Sequence, residues 1–348
     1  MFVSFRSMKI AILSDHLDGH YNQSLGIAEI LKDSLELSYT IIDVKLKNNF
    51  FRGFKYKFIK NLSKNLNDRN IKIILSFFEV IDLTEYDLLI STGGKLTVLN
   101  AALAKKYNIK NIHNGSLRGI PDEYFSANLL LGEGVEKNSS NIKTILPPNR
   151  FNPLKHLKTS NKVLFLIGGD GSGYKYKKKD FFKLCNQIIK YSHDSGKTPL
   201  VVTSRRTKKS HEQLIKEYLQ DYLDAQSVWF HSGMGRTNLS NVFKLVDEIF
   251  VTEDSSSMIA ESISSGLHVY TIAPNRVKKN KDYLEMLYRY ERQGFIKRLT
   301  FDTAFNNYTN KSILSSKYKK IINAKHMLKI QILSKLNKLT LTRDTKTA

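Results

Sequence analysis

The sequence contains a single cysteine, Cys185, in 348 residues. One thiol can form neither a disulfide framework nor a cysteine-based metal site, so both are excluded. Cys185 lies in the stretch FFKLCNQIIKY, where it takes the place of a small apolar residue on a predicted helix. We expect it to be a buried structural thiol.

Long apolar runs are absent as well. No stretch approaches the about 20 apolar residues that a membrane-spanning helix needs. The N-terminal run MFVSFRSMKIAILS leads directly into a predicted strand and does not have the pattern of a signal peptide. We therefore expect a cytoplasmic protein, either free or peripheral on the inner face of the membrane.

Two common nucleotide-binding motifs are also missing. The chain has no G-x-G-x-x-G, which disfavours a nicotinamide-dependent enzyme. It has no G-x-x-x-x-G-K-[ST] either, although paired glycines followed by a lysine occur in STGGKLT, so a P-loop kinase or ATPase is disfavoured as well.

Acidic residues are outnumbered, with 32 Asp and Glu against 55 Lys and Arg, for a net charge of +23. Residues 1–150 hold 20 basic and 15 acidic residues, or +5, which leaves 35 and 17, or +18, for residues 151–348. Such a field implies an anionic partner, whether a nucleotide, a nucleic acid or acidic lipid headgroups. Part of the positive excess reflects a composition rich in Ile, Lys and Asn, so we expect some lysines to be solvated surface residues without a functional role.

Strand and helix signals alternate along both halves of the chain, which is typical of a doubly wound parallel sheet. The first half has strand-like KIAILSD, a helix from about Asn22 to Leu35, and then YTIIDVKL and YDLLIST. The second half has KVLFLIGG, PLVVTS, SVWF and EIFVT, after a polar, proline-containing stretch that marks the boundary. We predict two Rossmann-like domains, residues 1–150 and 151–315, followed by a basic helix and tail at 316–348.

The predicted terminal helix runs from Ser316 to Leu341 and carries a broad apolar stripe. The stripe consists of Ile321, Ile322, Met327, Ile330, Ile332, Leu333 and Leu336. We expect this helix to pack back across both domains. A helix lying on a membrane surface is the alternative.

A polar cluster follows the first predicted strand, in the first β–α turn, where α/β proteins bind ligands. His20 is a candidate general base because the ordinary pKa of histidine lies near neutral pH, and Asp15 could orient it or act as the base itself. Asp18, Asn22 and Gln23 complete the cluster, and the amides can bind sugar hydroxyls. In the alternative interpretation, Asn22 only caps the helix and the histidines are merely exposed.

Further polar residues follow other strands of the first half. Gly93 and Gly94 let a backbone approach a ligand closely, and Lys95 stands at a helix start, which suits an anion. His113 ends the next strand and could line the same crevice. We group these residues as candidate acceptor-binding residues.

Three polar turns in the second half also follow strands. The first is glycine-rich, and its amides can wrap a diphosphate. The second contains two arginines, either of which can pair bidentately with a phosphate. The third precedes a helix and is either a simple cap or an anion site. These turns contain Gly168, Gly169, Gly171 and Ser172; Ser204, Arg205 and Arg206; and Glu253, Asp254, Ser255, Ser256 and Ser257.

Taken in order, these motifs resemble the mitochondrial fission "elongated mitochondria" family, whose bacterial members resemble GT-B glycosyltransferases. The resemblance rests on D-x-x-x-G-H-x-N-Q at Asp15–Gln23, IGG, TSRRT, and VTEDSSSMIAES with a later glycine at Gly266. One departure is the stretch His16 to Asp18, where the family tends to carry small or basic residues, so the acceptor can differ. The resemblance implies a GT-B-like α/β fold, with two Rossmann-like domains facing across a cleft, and a metal-independent reaction without a cofactor.

The resemblance also implies roles for individual residues. Ser255, Ser256 and Ser257 would bind the diphosphate of a nucleotide-sugar donor together with Arg205, and the glycine-rich turn would line its phosphates. Glu261 would hydrogen-bond the nucleotide ribose. Asp15 or His20 would deprotonate the hydroxyl of the acceptor.

Three functions follow as hypotheses. The leading one is a transferase for a lipid-linked or envelope glycan, because residues 47–64 combine six basic residues and five aromatics without an acid, which fits an anionic membrane surface. The same stretch is also compatible with a basic helix that has an aromatic core face. A nucleic-acid (DNA) glycosyltransferase is the second hypothesis, because of the +18 half. A non-catalytic adaptor with the same fold is the third, since plant members of the family are known as adaptors.

Overall fold

The computed structural model describes residues 7–47, 52–133, 139–154, 160–233, 237–274, 280–305 and 314–344, with the backbone alone at 52–55, 314–316 and 338–344. The chain forms two compact units. The first contains residues 1–150 and 323–348, and the second contains residues 151–322.

The first unit is built on a six-stranded parallel sheet of order β2-β1-β3-β4-β5-β6. Apolar residues alternate between the two faces of β1, where Ile10 and Ile12 pack on one side and Ala11 and Leu13 on the other. Both faces are therefore buried, as in doubly wound sheets. The strands are β1 (Met8–Ser14), β2 (Leu37–Asp43), β3 (Leu88–Thr92), β4 (Lys110–Asn114), β5 (Ala127–Leu131) and β6 (Asn141–Thr144), and the helices are α1 (Asp18–Lys32), α2 (Arg52–Leu62), α3 (Asp68–Ser76) and α4 (Thr97–Tyr107).

The second unit is built on a five-stranded parallel sheet of order β11-β10-β9-β7-β8. Stacked rings fill its core, with Phe250 lying 5.0 Å from Phe165 and 4.9 Å from Phe305 between ring centroids. The strands are β7 (Lys162–Ile167), β8 (Thr198–Thr203), β9 (Glu248–Thr252), β10 (His268–Ala273) and β11 (Lys297–Thr300), and the helices are α5 (Lys178–Ser195), α6 (Lys209–Leu219), α7 (Leu239–Phe243), α8 (Ser256–Ser264) and α9 (Lys281–Arg292).

The last helix, α10 (Leu314–Asp344), packs back onto the body of the protein, as predicted. Leu328, Ile332 and Leu336 join the core of the first unit beside α1 and β1. The predicted apolar stripe was too broad, however. Ile322, Met327 and Ile330 are exposed, because the buried face of the helix is a narrower stripe at spacings of three to four residues.

Other local differences have simple causes. Helix α1 begins at Asp18, so Asn22 lies inside it and does not cap it. The run SVWF forms only one bridge, between Val228 and Val202, and is not a strand. Cys185 is a free buried thiol. Among the helices described, none is long and apolar enough to cross a bilayer.

Candidate functional site

The polar turns lie at the carboxyl ends of neighbouring parallel strands in both sheets. In the first unit, Ser14 pairs with Asp43 and Thr92 pairs with Asn114, so β1, β2, β3 and β4 end nearly level. In the second unit, β7 lies between β8 and β9, which brings the glycine-rich, arginine and serine turns together. Each unit therefore presents a candidate ligand site at one edge of its sheet.

Glu253 is completely buried, and both of its carboxylate oxygens already have partners. Arg298 pairs with it bidentately, through Nε at 2.7 Å and Nη2 at 2.9 Å. Thr271 donates to one oxygen at 2.8 Å, and the hydroxyl of Tyr174 donates to the other. With four donors in place, Glu253 stabilises the turn, and its predicted role as a donor-binding residue is not supported.

Asp254 is also completely buried and ties three turns together. Its carboxylate accepts a hydrogen bond from Thr252 at 2.7 Å, and its backbone oxygen accepts one from Arg206 at 2.7 Å and one from Ser172 at 2.9 Å. Burial raises the pKa of Asp254 above its ordinary value, and the Thr252 hydroxyl, the Gly169 amide and Arg206 partly oppose this shift. Asp254 and Arg206 therefore bind each other instead of standing free for a ligand.

The glycines of the first turn are explained by this packing. A Cβ on Gly168 would overlap the Asp254 carboxylate, and one on Gly169 would overlap the carbonyl of Arg206. A Cβ on Gly171 would lie 2.9 Å from both Arg206 Nη1 and the Asp254 oxygen. Neighbouring protein atoms fill the space beside these three glycines, so the close approach they permit is between turns of the protein.

The arginine turn is closed by its own hydroxyls. Ser204 accepts a hydrogen bond from the Arg206 amide at 3.2 Å. Thr207 is buried and donates to the carbonyl of Ile167 at 2.8 Å. This arrangement leaves Arg205 exposed at the carboxyl end of β8, with no partner among the residues that the structure describes.

The start of α8 remains available to an anion. Ser255 caps the helix by accepting from the Met258 amide at 3.4 Å, and its hydroxyl contacts that of Ser257 at 3.2 Å. Ser256 and Ser257 are partly exposed in the first turn, where backbone amides lack intrahelical partners. Glu261 lies one turn further along α8. Only 6% of its surface is exposed, and it has an interaction partner of its own.

In the first unit, the structure brings Asp15 and His20 together. His20 Nδ1 lies 2.9 Å and 3.1 Å from the two carboxylate oxygens of Asp15. Burial raises the pKa of Asp15, but the hydrogen bond and the charge of His20 outweigh it, with smaller help from Leu17 and Lys95, and the net pKa is lowered. The carboxylate is thus ionised at neutral pH and fixes the orientation of the imidazole.

The paired glycines after β3 leave room for two side chains of this site. A Cβ on Gly93 would overlap the ring of His20, and one on Gly94 would overlap the guanidinium of Arg118. Gly93 has φ of +92°, which also requires glycine. Lys95 follows and is exposed.

The other predicted acceptor residues have mixed roles. Gln23 is bound by the Asn114 amide at 2.6 Å. Asp18 lies in the first turn of α1, where its negative charge interacts favourably with the helix dipole. Both Asp18 and Asn22 have interaction partners. Sequence reasoning missed Arg118 and Arg298, because each acts on a turn that is distant in sequence.

His113 is buried and has a structural role, contrary to prediction. Its ring nitrogens contact Ser91 at 2.9 Å and Thr97 at 3.1 Å, and no part of it is exposed. Burial, followed by the charges of His20 and Arg118, lowers the pKa of His113 to about 3. An acceptor cannot reach it.

A pH dependence of stability follows from His113. The unfolded chain binds this proton below about pH 6.5, whereas the folded protein does so only near pH 3. Between these values, stability falls as the pH falls, by up to about 1.4 kcal/mol per pH unit. We expect His113→Gln to flatten the slope of unfolding free energy against pH between 6.5 and 4 by about this amount. Equal slopes for both proteins would contradict the buried neutral state.

More than half of the chain matches a known protein family. The family whose description is mitochondrial fission ELM1 matches residues 133–321, which are 189 of the 348 residues. The chain belongs to the mitochondrial fission ELM1 family. The match includes every turn of the second unit's candidate site and thereby confirms the resemblance drawn from the sequence motifs. No curated protein matches the chain.

Solved structures similar to this ELM1-family chain include glycosyltransferases. The glycosyltransferase SnogD from Streptomyces nogalater has a TM-score of 0.53 and 11% identity, over 96% of this chain and all of that one. UGT89C1 from Arabidopsis thaliana, complexed with UDP, has 0.52 and 9%, over 94% and 100%. The glycotransferase of kitacinnamycin has 0.51 and 12%, over 94% and 100%. At these identities they show the fold alone, which is the predicted GT-B-like α/β fold.

Proposed function

We propose that the protein is a glycosyltransferase that moves a sugar from a nucleotide-sugar donor to a hydroxyl acceptor. The observation that carries this proposal is the Asp15–His20 pair in the first β–α turn, with His20 Nδ1 2.9 Å from the carboxylate. The GT-B-like fold, which it shares with UGT89C1 of Arabidopsis thaliana in complex with UDP, supports it.

His20 is the proposed general base. Asp15 accepts the hydrogen bond from Nδ1, which leaves the lone pair on Nε2 free to take a proton from the acceptor hydroxyl. The carboxylate also stabilises the imidazolium that forms. Asp15 is therefore the positioning partner of the base, in the manner of the histidine–aspartate pair of hydrolases.

The second unit would hold the donor. We propose that Arg205 and the first turn of α8, with Ser256 and Ser257, stabilise the diphosphate as it leaves. Arg205 offers an exposed guanidinium, which has no partner in the part of the chain that the structure describes, and the helix start offers backbone amides. Glu261 is proposed to act on the nucleotide ribose.

The acceptor is proposed to be a lipid-linked or envelope glycan. Within the basic–aromatic stretch at 47–64, residues 48–55 lie outside the residues whose side chains are described. The following Lys57 and Phe58 on α2 are both exposed, which suits an anionic lipid surface. A nucleic-acid acceptor is the alternative, and a steep salt dependence of binding to DNA would favour it.

The adaptor alternative rests on the family's description as mitochondrial fission proteins. An adaptor has no need of an ionised Asp15 held against His20, nor of an exposed arginine at the carboxyl end of β8. Nucleotide binding separates the two hypotheses.

Calorimetry with UDP, GDP, CMP and dTDP tests the donor site. We expect one nucleotide to bind, and Arg205→Gln to weaken its binding by about 10- to 100-fold, because a charged hydrogen bond contributes about 1.5–3 kcal/mol. Arg292→Gln is the matched control, since Arg292 is exposed on α9 and pairs with Glu285 at 2.8 Å. If no nucleotide binds, the adaptor hypothesis replaces the transferase.

A further inference from the structure

Two cations lie beside the Asp15–His20 pair in the first unit. The guanidinium of Arg118 occupies the place that a side chain on residue 94 would take, and Lys95 is the next residue along the chain. Both side chains are exposed, and neither forms a salt bridge with any residue that the structure describes.

The two cations are close to the proposed base. The ring of His20 lies over Gly93 in the same way that Arg118 lies over Gly94. Consecutive Cα atoms are about 3.8 Å apart, which places the guanidinium within about 10 Å of the imidazole. Lys95 is near enough to lower the pKa of Asp15, after the larger effects of burial, His20 and Leu17.

Arg118 differs from the arginines that stabilise the fold. Arg298 is paired bidentately with Glu253, and Arg206 is bonded to Asp254. Among the described residues, no acid forms an ion pair with Arg118. Its backbone nevertheless has φ of +53°, in the left-handed region that is unfavourable for a residue with a side chain. The turn therefore holds an exposed cation over a glycine, beside a candidate base.

We propose that Arg118 and Lys95 bind an acidic group of the acceptor, a phosphate or a carboxylate within about 10 Å of the hydroxyl that receives the sugar. This inference rests on the proposed transferase function. A guanidinium matches either oxyanion bidentately, and a lysine adds a second positive charge without fixed geometry. The site would select an acidic glycan and reject its neutral counterpart.

Binding of soluble probes to the full-length protein tests the proposal. We expect glucose 6-phosphate and glucuronic acid to bind more tightly than glucose, and Arg118→Gln to weaken the acidic probes by about 10- to 100-fold. Gly94→Ala is expected to do the same without a change in charge, because its Cβ displaces the guanidinium. Arg69→Gln, an exposed arginine on α3 of the same unit, is the matched control.

Two further arms locate the effect. Arg205→Gln should leave acidic-probe binding unchanged, which separates this site from the phosphates of the donor. Vesicles with and without phosphatidylglycerol distinguish the source of the acid: dependence of vesicle binding on Arg118 indicates a lipid headgroup, and dependence of soluble probes alone indicates an acidic sugar.

The proposal is overturned if neither soluble probes nor vesicles respond to Arg118→Gln and Gly94→Ala. Nucleotide binding reports on the transferase function separately. A protein that binds its nucleotide but shows no dependence on Arg118 remains a candidate transferase with a neutral acceptor.

Discussion

Arg298→Met is expected to lower the free energy of unfolding by about 3–5 kcal/mol, because removing one partner of a buried ion pair leaves the other charge uncompensated. Glu253 is fully buried, and Arg298 supplies two of its four hydrogen bonds. The remaining donors, Thr271 and Tyr174, are neutral. Denaturant unfolding followed by circular dichroism measures the change.

Two comparisons make this prediction specific. Arg292→Met breaks an ion pair that is about two-thirds exposed on both sides, and should cost less than about 1 kcal/mol. Combining Arg298→Met with Glu253→Gln removes the buried charge and should recover part of the loss. A fall for Arg298→Met no larger than that for Arg292→Met would show that water reaches Glu253.

The ion pair also bears on the donor site. The hydroxyl of Tyr283 also donates to the backbone oxygen of Glu253 at 2.8 Å. Both the side chain and the backbone of Glu253 therefore hold the turn before α8 in place. Because Ser255 starts the helix two residues later, any disorder in this turn would displace the amides proposed to bind the diphosphate. We infer that Glu253 supports the donor site without touching the donor.

Sequence patterns predicted where the polar turns lie but not what each side chain does there. In the run from Glu253 to Ser257 every residue is polar, so local sequence cannot tell buried from exposed. Glu253 is buried against Arg298, which lies 45 residues away in sequence, and Asp254 is bonded to Arg206, which lies 48 residues away. The contact between Asp15 and His20 was predictable because the two residues are five apart in a single turn.

The run SVWF shows the same limit at the level of secondary structure. Its β-branched and aromatic residues favour a strand. Val228 does pair with Val202, but the amide of Phe230, two residues further on, donates to the Thr203 hydroxyl at 2.8 Å. The amide of His231 then donates to Glu212 at 2.9 Å. Side chains thus take the backbone donors that a strand would use.

His20→Asn is expected to slow hydrolysis of the nucleotide-sugar donor, with water as the acceptor, by about 10²- to 10⁴-fold, the usual contribution of a general base. Nucleotide binding should be unchanged, because the donor-binding residues are proposed to lie in the second unit. His16→Asn is the matched control in the same loop. His16 is exposed, and its Nδ1 lies 3.6 Å from a carboxylate oxygen of Asp43, which is exposed as well. Asparagine tolerates the positive φ at this position.

Asp15→Asn separates a positioning role for Asp15 from a direct role as the base. An asparagine amide can donate to Nδ1, which leaves the proton on Nε2 and removes the lone pair that the acceptor needs. If Asp15 positions His20, both single variants and the double variant should lose similar activity, because the two residues act as a unit. If Asp15 is itself the base, His20→Asn should retain most of the activity, and the assignment of His20 would be wrong.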